Sequence, residues 1–467
     1  MAHVVDDQDV KQGSRVAEPQ LLLFEETEVS TAPLEGLHTS KRGRREREGV
    51  HRWHSYYAGY AEQFVLDTLD VLGRPGDFVL DPWNGSGTTT LMAEYRGYDA
   101  LGIEINPVMV WHAQAKAPQL LENRGETLDT AKTIVARAQE IHGEARDAPR
   151  DELLEWVALE PAQALVALKK AILEQTVEIS APAYLSKVLQ PAAAGRCHAS
   201  KRRGFFLSAL FQLLREVGGF RKGSNPTWLL IDDEAPSVGA DVVFEQFTEI
   251  ATRMLGDLAR SARRAETLGR VWTVVGDSRA MEIRDDCIDL VVTSPPYCTR
   301  IDYVFSTKPE LLLMGYTADG VDDLRRENIG APVIVDKGIA PEPVWGGLCN
   351  AFLEGVAQHQ SKASRSYYLP FYLQYFRDAE QSLREIGRVL RPGGKAAIVV
   401  QSSYYKELEL PLGEIYVEMA EALGVHAEIG RREVVRQHMA HINTKSNGYA
   451  SNKVYYEDVV YVEKRSD

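Results

Sequence analysis

The chain reads as an α/β protein: a mostly parallel, doubly wound sheet interrupted by one large helical insertion between its second and third strands. Three observations predict this. Apolar β runs alternate with amphipathic helical stretches toward both ends of the chain. The first β run opens into a glycine loop and then a helix. Strand signals then stop after Trp111 and resume only at Val271. Strands that alternate with helices favour parallel pairing, because each crossover helix returns the chain to the same end of the sheet.

Residues 1–48 read as a flexible polar arm, with LLLF (Leu21 to Phe24) as an apolar patch and KRGRRER (Lys41 to Arg47) as a basic run. No core can be built from such a composition. From His51 a mixed helix, YAEQFVLDTLDVL, leads through RPGD into the strand FVL. DPWNGSGTTTLMAEYRGYDALGIEINP continues as glycine loop, helix and second strand. The segments DELLEWVALEPAQALVALKKAILEQ and FFLSALFQLLREV then carry helical periodicity, with no internal repeat. VWTVVGDS and IDLVVTSPPY supply the third and fourth strands. A long helix, YYLPFYLQYFRDAEQSLREIGRVL, precedes the strand KAAIVV, and Gly393 and Gly394 of RPGG are expected to stop it. The division that follows is an arm at 1–48, a sheet domain formed by 49–112 with 269–467, and a helical insertion at 113–268.

With 467 residues, 44% hydrophobic and 26% charged, the composition is that of a soluble globular protein able to bury a substantial core. No leader-like segment follows Met1, and no apolar run reaches the roughly 20 residues a membrane helix needs, so a cytoplasmic location is expected. Cys197, Cys287, Cys298 and Cys349 lack the spacing of a zinc site or a disulfide framework. A formal charge of −14 argues against indiscriminate coating of nucleic acid, although local basic clusters can still bind it.

In an open α/β sheet, ligands bind beyond the carboxyl ends of the strands, and Gly85 and Gly87 let the backbone pass close to one. The loop is neither phosphate motif. Thr90 stands where a dinucleotide fingerprint needs its third glycine, and Gly87-Thr88 breaks the P-loop pattern. Asp81 at the first strand tip would repel a pyrophosphate but suits a ligand carrying an ammonium and a sulfonium. Glu104 ends the next strand, where a carboxylate can accept from both ribose hydroxyls, and Asp277 ends the third. Three acids at three successive tips describe a pocket for a cationic nucleoside, which S-adenosyl-L-methionine fits better than NAD or ATP. The competing explanation, that strand-end acids cap helices or face solvent, applies to Asp277 more than to Asp81 or Glu104.

DPWNGSGTTT followed by GIEINP, together with TSPPY, resembles the amino-group DNA methyltransferases that modify cytosine N4 or adenine N6; the resemblance covers His51 to Trp111 and Val271 to Val400. It implies a Rossmann-like methyltransferase sheet dependent on S-adenosyl-L-methionine. HRWHSYYAGYAEQF, with Tyr56, resembles the segment these enzymes often carry before the cofactor loop, closing over the methionine part of the cofactor. The family roles then give Asp81, Pro82, Trp83 and the loop Gly85, Ser86, Gly87 and Thr88 to the methionine end. Glu104, with Ile105 and Asn106, goes to the ribose, and Asp277, with Ser278, to the adenine. Trp83 stands where phenylalanine is usual, Asn84 occupies a variable position, and the helical insertion has no recognisable counterpart.

The resemblance explains why a buried strand runs into Ser294, Pro295, Pro296 and Tyr297. An exocyclic amine is a poor nucleophile because its lone pair is delocalised into the ring. An enzyme must accept hydrogen bonds from both of its N–H groups. Ser294 Oγ and the Pro295 carbonyl can converge on one nitrogen, because the prolines fix the backbone and keep that carbonyl out of the sheet ladder. Tyr297 offers a stacking face to a base flipped out of double-stranded DNA. Transfer is then direct and in line, mostly by positioning, and needs neither a metal nor a covalent intermediate. In this family Ser at the first loop position is associated mainly with cytosine N4, and Asp or Asn with adenine N6, so N4-methylcytosine is favoured over N6-methyladenine. Cys298 reads as a structural or pocket-lining thiol.

Basic candidates for the DNA surface are KRGRRER, Arg202 and Arg203 in SKRRG, Arg221 and Lys222 in FRKG, and the helix with Arg260, Arg263 and Arg264. Each alone is more often a solvated face. Most lie in or beside the insertion, which makes it the preferred target-recognition element, with 302–365 as runner-up. A restriction or other defence-system partner is compatible with this reading. An RNA amino-methyltransferase and a non-catalytic cofactor-binding regulatory subunit are the alternatives.

Overall fold

The structure, a computed structural model, describes residues 34–43, 48–54, 59, 61–144, 148–194, 198–222, 229–231, 238–263, 265, 267–435 and 453–466. Seven strands form the main sheet: β1 (Phe78–Asp81), β2 (Asp99–Glu104), β3 (Val271–Val275), β4 (Ile288–Thr293), β5 (Leu390–Gln401), β6 (His426–Val434) and β7 (Tyr456–Glu463). Their spatial order is β6-β7-β5-β4-β1-β2-β3. Neighbours from β3 through β5 are parallel, while β7 runs antiparallel between β5 and β6. The order reverses between β1 and β4, because β2 and β3 add to one side of β1 and β4 and β5 to the other. This is the topological switch point of a Rossmann-like sheet, where a crevice opens beyond the carboxyl ends.

The central strands are buried on both faces, as parallel strands under helical layers must be. Val79, Ala100, Leu290 and Val292 belong to one core; Leu80, Leu101, Ile103 and Val291 belong to the other. The first face carries α1 (Glu62–Leu72), α2 (Thr88–Tyr95) and α3 (Pro107–Ala115). It also carries the insertion helices α4 (Arg124–Gly143), α5 (Leu159–Gln175), α6 (Lys201–Val217) and α7 (Ala240–Ala262), followed by α8 (Lys308–Met314) and α9 (Ala318–Glu327). The second face is covered by α10 (Gly346–Gln358), α11 (Leu369–Val389) and α12 (Leu412–Ala422). The insertion therefore shares its core with the sheet: Phe205, Phe206, Leu210 and Phe247 are buried in the same cluster as Val79 and Val292. Polar ties reinforce this. Arg52 Nε and Trp53 Nε1 both reach Asp257 Oδ2 of α7 at 3.0 Å, and Arg215 of α6 forks onto Glu310 of α8.

The structure differs from the sequence expectation in three places. Two short hairpins, Ile179–Ser180 with His198–Ala199 and Phe220–Lys222 with Leu229–Ile231, interrupt the helical insertion. The RPGG turn is not a helix cap. α11 ends at Val389, and Gly393 (φ +74°) and Gly394 sit within β5, where the register against β4 shifts and a Cβ on Gly394 would meet Ile288 O at 2.9 Å. The glycines are needed for that close approach. Residues 34–43 also have core contacts: Leu34 and Leu37 are buried, and a Cβ on Gly430 of β6 would come within 2.8 Å of the Leu34 side chain. Ala61 N donates to Ser40 O, and Arg431 to His38 O. LLLF and the rest of 1–33 lie outside the described residues.

Candidate active site

The crevice beyond the switch point is a cleft with about 720 Å³ of empty space, counting the part open to solvent. Each central strand contributes its first residues after the sheet. Pro82 and Trp83 follow β1, Glu104 to Asn106 end and follow β2, Asp277 and Ser278 follow β3, and Ser294 to Tyr297 follow β4. The sheet thus gathers into one cavity residues that are far apart in the chain.

The glycine loop forms one wall's support. Gly85 (φ +50°) and Gly87 (φ +83°) are both left-handed, and a Cβ on Gly87 would lie 2.8 Å from Ala113 Cβ of α3. Gly85 N donates to Glu104 Oε2 and Asn106 N to Glu104 Oε1, each at 2.9 Å, so one carboxylate joins the loop to the β2 tip. Burial pushes the Glu104 carboxyl up to about 7, against the pull of the Asn106 and Gly85 N–H groups. Behind the loop, the buried Lys116 Nζ donates to Ser86 O at 2.6 Å, and burial together with the Arg42 guanidinium lowers its pKa to about 7. Arg42 also donates to Thr88 Oγ1 at 2.9 Å.

Asp81 behaves differently from the ligand-facing acid expected of it. It is 1% exposed and is not among the residues lining the cleft. Its Oδ1 accepts from Thr293 Oγ1 at 2.5 Å and from Trp83 N at 3.0 Å, and its Oδ2 accepts from Thr89 Oγ1 at 2.5 Å. Thr89 lies in the first turn of α2 and Thr293 immediately precedes Ser294. Asp81 therefore ties the glycine loop's helix to the strand that leads into Ser294. Its position at the strand tip looks the same in sequence whether it faces a ligand or two threonines.

Asp277 does line the cleft, with its side chain about one-third exposed. Arg279 forks onto it, with Nη2 2.7 Å from Oδ2, and continues to Asp378 and the Glu327 carbonyl. The Ser278 hydroxyl lies 3.1 Å from Ser382 Oγ of α11.

At the β4 tip the Ser294 hydroxyl lies 3.2 Å from the Val399 carbonyl of β5 and 3.4 Å from the Tyr297 hydroxyl. Whichever of the two takes its single proton, Ser294 Oγ keeps acceptor lone pairs. Tyr375 of α11 donates to the Pro296 carbonyl at 3.0 Å and meets Tyr416 of α12 at 3.3 Å, which braces the double-proline loop from behind. Burial pushes the Tyr297 phenol well above 10 and the Cys298 thiol well above 9, so both stay neutral. A neutral, buried thiol is a poor nucleophile.

Residues 33–115 match the family model described as DNA methylase, of the N6/N4 type. The chain is 23% identical over 334 residues to the type II methyltransferase M.BsoBI of Geobacillus stearothermophilus, covering 68% of this chain and 62% of that protein. It is 21% identical over 428 residues to the type II methyltransferase M.MvaI of Kocuria varians, covering 87% of this chain and 89% of that protein. These matches support the amino-group DNA methyltransferase family. The alignment with the first relative thus spans under two thirds of that protein's length. A looser likeness, at TM-score 0.27 and 11% identity over 87% of each chain, is to the rRNA methyltransferase aviRa of Streptomyces viridochromogenes.

Beside the residues expected for an amino-group methyltransferase, the cleft has others that sequence reasoning missed. Tyr303, Glu327, Asn328 and Ile329 line it from the segment after β4. Buried donors at Trp83 Nε1 and Asn328 Nδ2 have no protein partner. No local motif announces Asn328, which reaches the site only through tertiary folding. Of the cofactor candidates, Tyr56 lies outside the described residues. The basic candidates divide. Arg202 pairs with Glu126 at 2.7 Å; Arg203 pairs with Glu178 and donates to Thr176 Oγ1 and to the carbonyls of Thr176 and Leu173. Arg260 pairs with Asp257. Arg221 is exposed, while the side chains of Lys222 and Arg264 and residues 44–47 lie outside what is described.

Proposed function

We infer that this chain is a site-specific DNA methyltransferase, moving a methyl group from S-adenosyl-L-methionine to an exocyclic amino group, cytosine N4 ahead of adenine N6. The observation that carries the reading is Ser294. Its hydroxyl lies 3.2 Å from Val399 O and 3.4 Å from the Tyr297 hydroxyl, and its lone pairs can accept in the same cleft that Glu104 enters from the β2 tip. The residues present fit an adenosyl ligand. The Trp83 and Asn328 donors are buried without protein partners among the cleft-lining residues, and Glu104 and Asp277 bring carboxylates for hydroxyl and amino donors.

Glu104 would hold the ribose, with Ile105 and Asn106 beside it. Asp277 and Ser278 would hold the adenine side; Pro82, Trp83 and the loop Gly85 to Thr88 would hold the methionine side, closed over by the segment with Tyr56. Asp81 supports that loop from behind. Bound there, the cofactor supplies an electrophilic methyl group on a sulfonium. Ser294 Oγ and the Pro295 carbonyl accept from the two N–H groups of the target amine and draw its lone pair out of the ring. Tyr297 presents its face to the base, and Pro296 fixes the loop. Orientation of this kind is the chain's main contribution to rate. The base reaches the cleft only by leaving the duplex, at a cost of a few kcal/mol. The helical insertion, 113–268, is the proposed target-recognition region. The type II names of the relatives support a restriction-modification setting, and with it a cytoplasmic location. No helix among the described residues is long and apolar enough to cross a membrane, and none of their His, Cys, Asp and Glu side chains cluster as a metal site.

The test is mass spectrometry of nucleosides from plasmid DNA incubated with the chain and S-adenosyl-L-methionine. N4-methyldeoxycytidine is expected. N6-methyldeoxyadenosine alone would overturn the base preference and leave the mechanism standing. Methyl groups found only in RNA would overturn the substrate class, and cofactor binding without transfer to either would assign a regulatory subunit.

A further inference from the structure

Resting on the DNA methyltransferase reading, we propose that Arg300, stacked on Tyr368 at the rim of the cleft, is the phosphate clamp for the strand that carries the target nucleotide. The loop from Tyr297 to Tyr303 has both ends in the cleft wall, and its middle residues, Thr299 and Arg300, are exposed. Arg300 adopts φ +60°, a left-handed conformation that costs a non-glycine residue free energy and recurs at functional sites. Something must favour an arginine there over the glycine that the backbone would prefer.

The side chain is held but not neutralised. Arg300 Nη1 donates to the Tyr368 hydroxyl at 3.2 Å, and the guanidinium lies 4.8 Å from the Tyr368 ring centre. Among the described residues no carboxylate pairs with it. Arg202, Arg203 and Arg260 of the insertion are instead tied to acids. Tyr368 is itself fixed. It closes the π-helical turn Ser364–Tyr368, and its ring lies 4.7 Å from that of the buried Tyr405, whose hydroxyl bonds Ser364 Oγ. Mid-chain π turns of this kind are frequent at functional sites. The far end of the loop is anchored separately, through buried Asp302 and Arg325 at 2.8 Å.

A planar guanidinium with one N–H given to Tyr368 and no carboxylate partner among the described residues presents a fork matched to a phosphate. The surroundings favour a polyanion. Arg365 is exposed on the same turn as Tyr368, with its Nε given to the Ala357 carbonyl, and Lys362 is exposed just before that turn; in a chain of net charge −14 such local positive charge favours a polyanion. A base that reaches Ser294 brings its own flanking phosphates to this rim. Arg300 does not line the cleft, so the cofactor's carboxylate is the less suited occupant.

The experiment compares the full-length chain with Arg300→Ala, Arg300→Gly and Arg300→Lys, measuring methyl transfer to plasmid DNA over a range of salt, cofactor affinity by calorimetry, and melting temperature. Arg300→Gly relieves the backbone strain, so it should melt no lower than the parent while its KM for DNA rises about tenfold and its salt slope falls by about one. Arg300→Ala should weaken DNA in the same way, and Arg300→Lys should keep the salt slope. Unchanged KM and slope in Arg300→Gly and Arg300→Ala would overturn the clamp. Weakened cofactor affinity with unchanged DNA dependence would reassign Arg300 to the cofactor's carboxylate. A parent chain that moves no methyl group to DNA would sink the underlying reading, which is a separate outcome from a clamp that fails.

Discussion

The cleft at the strand tips and the helical insertion both carry dense charge, yet they spend it differently. In the cleft, Glu104 accepts from the backbone N–H groups of Gly85 and Asn106 and lines the cavity, and Ser294 lines it too with lone pairs able to accept. In the insertion, Arg203 is consumed by Glu178, Thr176 and Leu173, and Arg202 by Glu126. Charge density along a sequence therefore says little about function until one knows which partners folding supplies. Polar groups left facing a cavity by strands that need nothing more from them are the better guide.

The sharpest way to break this comparison is at Ser294. Ser294→Ala removes the acceptor without touching the loop's braces, so turnover should fall roughly 10²-fold, the scale of losing one transition-state hydrogen-bonding group, with cofactor affinity nearly intact. Single-turnover transfer and calorimetry on the same preparation check it. A matching loss of cofactor affinity would mean that Ser294 organises the pocket rather than the amine.

A smaller effect should come from acidity at Glu104. Its carboxyl, with an ordinary value of 4.5, is raised to about 7 in the folded chain. Below that pH the folded chain holds it protonated, and a ligand whose hydroxyls donate to the carboxylate must first expel the proton. Affinity for S-adenosylhomocysteine should therefore weaken by about tenfold per pH unit below 7 and level off above it. The stability of the free chain has the opposite sign: the raised group favours the folded state below 4.5, and that contribution is lost as pH rises through 7. Glu104→Gln should flatten both profiles. Persistence of the affinity profile in that variant would move the titration to another group, with Lys116 the first to examine.

The smallest effects belong to the insertion. Arg203→Ala strands carbonyls that it now satisfies, so it should cost about 1–3 kcal/mol of stability and leave the salt dependence of DNA binding unchanged. Exposed Arg221→Ala should leave the melting temperature unchanged and lower the salt slope by about one if that face meets DNA. The reverse pattern would show that the intramolecular pairs open on binding, which would restore Arg203 as a DNA contact.

Much of the cleft was legible in the sequence because its signals are local. A strand tip, two glycines and the acid ending the next strand lie within one βα unit, although the bond from Gly85 N to Glu104 was not foreseen. The double proline after β4 likewise fixes its own loop. Contacts between distant segments left no such mark. Asp81 was legible as a strand-tip acid, but not its commitment to Thr293; the glycine loop was legible, but not Lys116 behind it; Asn328 and the Arg300–Tyr368 stack had no signature at all. RPGG misled for a related reason. A helix stop and a strand bulge both ask for glycine, and only the register against β4 distinguishes them.

The strand order also governs when the site can form during synthesis. β1 lies in mid-sheet, but the strand on its far side, β4, leaves the ribosome only after the whole insertion has been made. At ordinary elongation rates those roughly 200 residues take on the order of 10–40 s. A β1 that pairs with β2 as it emerges would through that interval show unpaired backbone groups along its other edge, and Asp81 would lack Thr293. The nascent chain thus has a vulnerable period whose length the insertion sets, and a longer insertion would demand either slower competitors or more help from chaperones.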